Sequence, residues 1–151
     1  MGYPDDWIIK RLQSINVRKT LTDEWDKRGV EKGLEYSILT AEIAQNTFGI
    51  KPGDHKALKK LKRENLRDHM TDLELIFTML GEAGTTSKAI EKDAFGFYEN
   101  KEAAIEGGTA AGKAREAFEL ESGQKVISTA NRKDQIKAAK QQARLAAKKK
   151  D

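Results

Sequence analysis

Only two prolines, Pro4 and Pro52, interrupt 151 residues, so nearly the whole chain lacks the residue that most strongly forbids a helix. Around them run stretches of Ala, Glu, Lys, Leu and Arg, the side chains that lose least on entering a helix. Almost nothing reads as strand. The expected fold is therefore all-α, an irregular bundle of about five to seven helices with a basic C-terminal helix or tail. A chain of this length suits one core with appendages, divided here into a helical body, 1–131, and a tail, 132–151. Hydrophobic residues make up 38% and charged residues 34%, so the core is lean and an elongated or partly open body is expected.

Spacing places the helices. From Asp5 or Asp6 to Arg28, Ile8, Leu12, Ile15, Leu21 and Trp25 fall near one face, with Trp7 beside it and Gly29 as the stop. Gly29 to Thr40 holds two glycines followed by Tyr36, Ile38 and Leu39, and reads as a loop with an apolar plug. A short helix from Ala41 to Thr47 should end at Gly49. Pro52-Gly53-Asp54 reads as a turn and N-cap for a helix carrying Ala57, Leu58 and Leu61, restarted near Asn65. Thr71 and Glu74 form a capping box before Leu73, Leu75, Ile76, Phe77, Met79 and Leu80, the most hydrophobic run and the expected centre of the core. Beyond Gly81 to Gly84, Thr85 or Thr86 should cap a separate short helix to Lys92. Asp93 to Phe97 is a loop, and Tyr98 to Leu120 a long helix closed by Ser122-Gly123. Gln124 to Ser128 reads as extended, and Asn131 as the cap of a last helix.

Charge and composition exclude several function classes. There is no cysteine, which removes disulfides, thiolate nucleophiles and the usual structural zinc sites. No apolar stretch reaches the roughly 18–20 residues a membrane span needs, and Met1 to Asp6 lacks a signal-peptide pattern, so the expected compartment is the cytoplasm. The net charge of +4 is unevenly spread. The tail alone carries eight Lys and Arg against two Asp, which leaves the body at −2. The basic balance belongs to the tail.

Individual motifs give no catalytic, cofactor or metal site. Gly107-Gly108-Thr109-Ala110-Ala111-Gly112-Lys113 has the spacing of a phosphate-binding loop, but Ala114 stands where Ser or Thr would hold Mg²⁺, and the preceding segment is helical. Small residues at a close helix crossing, or a helix break, account for it better. His55 and His69 do not converge by spacing as metal ligands, and His69 beside Asp68 and Asp72 suits a structural pair or a partner surface. Glu64 and Asp68 suit helix salt bridging.

Leu39 to Arg63 resembles a helix-turn-helix in which Lys56, Lys59, Lys60, Lys62 and Arg63 line a second helix that could meet phosphates, with Arg67 beyond it. The turn is longer than usual for that motif, and a solvated basic face is the plainer account. In the tail, Lys137, Lys140 and Arg144 could meet DNA phosphates or an acidic protein surface.

Four phrases, WIIKRLQSINVRKTLTDEWDKRGV, EYSILTAEIAQNTFG, LKRENLRDHMTDLELIFTMLGEAGTT and GFYENKEAAIEGGTAAGKAR, together resemble the C-terminal region of DNA-damage-inducible protein D and related BRO-type phage antirepressor-like proteins. The resemblance runs from Trp7 to Asn131 and is most specific over Leu66 to Thr71. The BRO-type DNA-binding domain that precedes this region in the family is not among these residues. The resemblance implies a module of the DNA-damage (SOS) response that binds a protein partner such as the RecA recombinase filament. It transfers no catalytic residue or cofactor. The alternative is a DNA-binding regulator using the helix-turn-helix-like unit or the tail. A homodimer is a further expectation, because Trp7 and Trp25 on one long helix exceed what a small core can cover.

Overall fold

A computed structural model describes residues 4–130, together with 141, 142 and 144–146. Its described residues form an all-helical bundle without strands: α1 (Asp5–Lys27), α2 (Leu34–Phe48), α3 (Pro52–Leu58), a 3-10 helix (Leu66–His69), α4 (Asp72–Lys92) and α5 (Gly96–Ser122). As the hydrophobic run suggests, α4 is the hub, packed on α5, α1 and α2. Its start is fixed by the expected capping box, in which the Thr71 side chain accepts from Glu74 N and Glu74 returns a bond to Thr71 N.

The buried side of α1 differs from the expected one. Trp7, Ser14, Leu21 and Trp25 point inward, while Ile8, Leu12 and Ile15 are 38%, 56% and 48% exposed. Residues seven apart lie almost above one another on a helix, and position 8 is turned about 100° from position 7. Trp7, at 4% exposure, takes the inward face with Leu21 and Trp25, donating its indole N–H to Met70 O, and this turns Ile8, Leu12 and Ile15 outward. Both tryptophans lie within the core, so they supply no surplus for a second copy to cover.

Three other boundaries move for identifiable reasons. Gly33, at φ +88°, is the N-cap of α2 rather than the middle of a loop, and the helix begins at Leu34 because Leu39, Ile43 and Thr47 form one buried row. Tyr36 belongs to this helix, 5.2 Å from the Trp25 ring and donating to Thr22 O. Helix α4 passes straight through Gly81 and Gly84, and the Thr85 and Thr86 hydroxyls bond back to the Gly81 and Glu82 carbonyls instead of capping a new helix. Pro52 opens α3 as its first residue, and α3 ends at Leu58.

The stop of α3 matters for function. Lys60 takes a left-handed conformation at φ +60°, with Leu61 N bonded to Lys56 O and Lys60 N to Ala57 O, the pattern that closes a helix. The single helix expected to carry Lys56 through Arg63 is therefore not formed. Leu61 is buried at the turn, and Lys59 turns inward. The Glu64–Asp68 pair is likewise not on one α-helix: Glu64 accepts from Lys62 N, and Asp68 pairs with Arg11 at 3.0 Å.

The glycines of α5 mark a close crossing and not a break. A Cβ on Gly107 would lie 2.4 Å from Thr85 N, and one on Gly112 would lie 2.3 Å from Asn46 O. Helix α5 thus presses its backbone against α4 on one side and α2 on the other. After α5, Gln124 to Ala130 is irregular, and Val126 inserts into the core beside Trp7, Phe48, Met70, Leu75 and Phe77. The helix expected after Asn131 lies largely outside the described residues.

Candidate functional site

Two carboxylates on the buried face of α4 organise the side of the bundle where α2, α3 and the 3-10 helix meet. Glu74 and Glu82 are eight residues apart, and both are buried. One oxygen of Glu74 serves the capping box and receives the Lys59 ammonium at 2.6 Å, and the other meets His55 Nε2. Burial disfavours ionisation of Glu74, but the bonds from His55, Lys59 and the Thr71 backbone outweigh it and hold its carboxyl below the usual range. Lys59 also donates to Ser128 O at 3.0 Å and Ala130 O at 2.5 Å, so a buried cation ties the chain after α5 to α3 and α4.

Glu82 receives a two-pronged Arg67 guanidinium, at 2.9 and 2.6 Å, and Arg18 at 3.3 Å. Arg18 also lies over the Trp25 ring, 5.2 Å from its centroid. Burial pulls the Arg18 proton affinity down while Glu82 opposes it. Two guanidiniums against one carboxylate leave this cluster one positive charge in excess.

Between these clusters lies a cavity of about 340 Å³. Ile43, Ala44, Phe48, Ile50, Leu66 and Met70 supply much of its apolar wall, and His55, Lys56, Arg63 and Arg67 its basic groups. One wall is the Arg63–Arg67 stretch.

The residues expected to make contacts separate into distinct groups. Lys56 and Arg63 reach the cavity, whereas Lys60 and Lys62 are exposed but do not line it. Lys59 is buried on Glu74 and unavailable to an outside partner, which corrects its placement on a phosphate-facing helix. Arg67 lines the cavity but is committed to Glu82, and His69 is buried. Arg144 is exposed on a short helical stretch, and Lys137 and Lys140 lie outside the described residues. The Gly107–Lys113 motif is helical and its glycines are packed against helices, so it forms no phosphate-cradling loop.

Sequence reasoning missed the Glu74 and Glu82 clusters. A signal was present: Glu74, Thr78, Glu82 and Thr85 recur at helical spacing through the hub helix, on its buried side. Polar groups in such positions require partners. No protein-family model matches the chain, and no curated protein matches it. No helix among the described residues is long and apolar enough to cross a membrane.

Proposed function

We propose that this chain is an interaction module of the DNA-damage response that binds a protein partner, such as the RecA recombinase filament, through the exposed face of α1. The observation that carries the reading is the stripe Ile8, Leu12 and Ile15, spaced i, i+4 and i+7 and 38%, 56% and 48% exposed. An apolar row at this spacing is the form in which a helix engages a groove on another protein. The partner's identity comes from the family resemblance. The net −2 of residues 1–131 disfavours phosphate backbone as the main target of the body.

Cosedimentation with RecA filaments tests this. Leu12→Lys with Ile15→Lys should abolish binding while leaving the melting temperature unchanged, because both side chains are already open to solvent. Undiminished binding by that double variant overturns the α1 reading, and no binding by the wild-type chain overturns the filament as partner. The DNA-binding alternative is supported by the exposed Lys60, Lys62 and Arg63 and by the basic tail. It requires a mobility shift that survives removal of 132–151 and weakens steeply with salt. A second copy of the chain is the remaining occupant of the stripe, and a mass above the monomer in light scattering would support it.

A further inference from the structure

We propose that the cavity between α2, α3 and the Arg63–Met70 segment binds a small amphipathic carboxylate, its apolar body inside and its anionic head at Lys56 and Arg63. This site is separate from the α1 stripe, and its test stands apart from the protein-binding reading. The volume of about 340 Å³ lies within the range of small-molecule sites, about 300–1,000 Å³.

The wall chemistry selects an apolar body. Most polar groups that reach the cavity already have partners within the protein: Thr40 donates to Tyr36 O, Thr78 to Glu74 O, His55 meets Glu74, and the Asn65 side chain accepts from Arg67 N. Among the hydroxyls Thr47 is the exception, and it is packed toward Gly81. Water held among Ile43, Phe48, Ile50, Leu66 and Met70 would find few bonding partners, so an apolar group displaces it favourably.

The charge balance selects the head group. Of the two carboxylates that line the cavity, Glu82 is paired with Arg67 and Arg18, while Glu64 accepts from the Lys62 backbone N–H and attracts Lys56. The Glu64 carboxyl is held below its usual range by that N–H and so stays ionised. Arg63 makes no hydrogen bond or ion pair with any described residue, and Lys56 has only the longer-range attraction of Glu64. Arg18 adds a further positive charge behind Arg67. A neutral apolar ligand would leave Lys56 and Arg63 unmet at the rim, and a carboxylate head group meets them.

The experiment is a titration of the ¹⁵N-labelled full chain with sodium octanoate and, separately, with 1-octanol, which has the same chain length without the charge. Octanoate should produce saturable shifts at Ala44, Leu66 and Met70 and should bind at least ten-fold more tightly than octanol. Lys56→Gln with Arg63→Gln should erase that preference at an unchanged melting temperature, since neither side chain makes a hydrogen bond or close ion pair with a described residue. Ala44→Trp should block both ligands, and the wild-type titration decides the question if that variant does not fold. Absence of saturation, a preference below ten-fold, or shifts centred away from these residues overturns the proposal.

Discussion

Replacing Gly112 by Ala tests the packing of α5 most directly, because two effects of opposite sign compete there. On helix propensity alone, Ala should stabilise an interior helical position by about 1 kcal/mol relative to Gly. Against this, the new Cβ would stand 2.3 Å from Asn46 O, where ordinary contact begins above 3.4 Å. Its neighbour is a helix backbone carbonyl and not the end of a flexible side chain, so relief requires α5 and α2 to separate. Overpacking of a close-packed interior typically costs about 1–3 kcal/mol, and an overlap with backbone sits at the upper end. The expected net loss is about 2 kcal/mol, or roughly a 4–8 °C fall in melting temperature for a chain of this size. Two controls sharpen the comparison. Gly53→Ala in α3 meets nothing within 4 Å, and Gly84→Ala meets Gly107 Cα only at 3.4 Å, so both should be neutral or stabilising. Thermal and urea denaturation of the three variants reads the result. A Gly112→Ala chain as stable as Gly84→Ala would refute the close crossing.

Four further outcomes follow from the buried carboxylates and the turns. Glu74→Ala leaves Lys59 buried without its carboxylate and should cost about 3–5 kcal/mol in urea denaturation, whereas Lys59→Met should cost less because His55 remains on Glu74. The folded-state Glu74 carboxyl is depressed from its ordinary value of 4.5, so its contribution is fully present above that pH and lost as pH falls through the depressed value. Acid titrations monitored by circular dichroism should therefore show a steeper loss below pH 4.5 for wild type than for Glu74→Gln. Arg67→Lys, which keeps the charge but loses the two-pronged bond to Glu82, should lower stability by about 1–2 kcal/mol. Gly29→Ala should destabilise by more than about 1 kcal/mol, because φ is +75° and the Cβ would meet the Phe95 ring at 2.8 Å.

Much of the fold was legible because it depends on local chemistry. Thr71 and Glu74 announce the start of α4 through a bond between neighbours in sequence, and Gly49 and Gly123 close their helices at positive φ as their positions suggest. Gly81 and Gly84 misled for the converse reason. Their cost in helix propensity is visible in sequence, while the helix contacts that offset it, to Ile43, Thr47 and Gly107, come from residues far away in the chain.

The sequence by itself determined that the chain is helical, that α4 begins at the Thr71 capping box, and that its positive charge lies in the last twenty residues, because composition, spacing and capping act over a few neighbouring residues. Only the tertiary structure decided which face of α1 is buried, where α3 stops, and that Lys59 faces Glu74 while Lys56 and Arg63 reach the cavity. The α1 face and the seat of Lys59 depend on partners from other elements, Met70 O for Trp7 and Glu74 for Lys59. Burying a charge is tolerable only when a partner from another helix arrives to meet it.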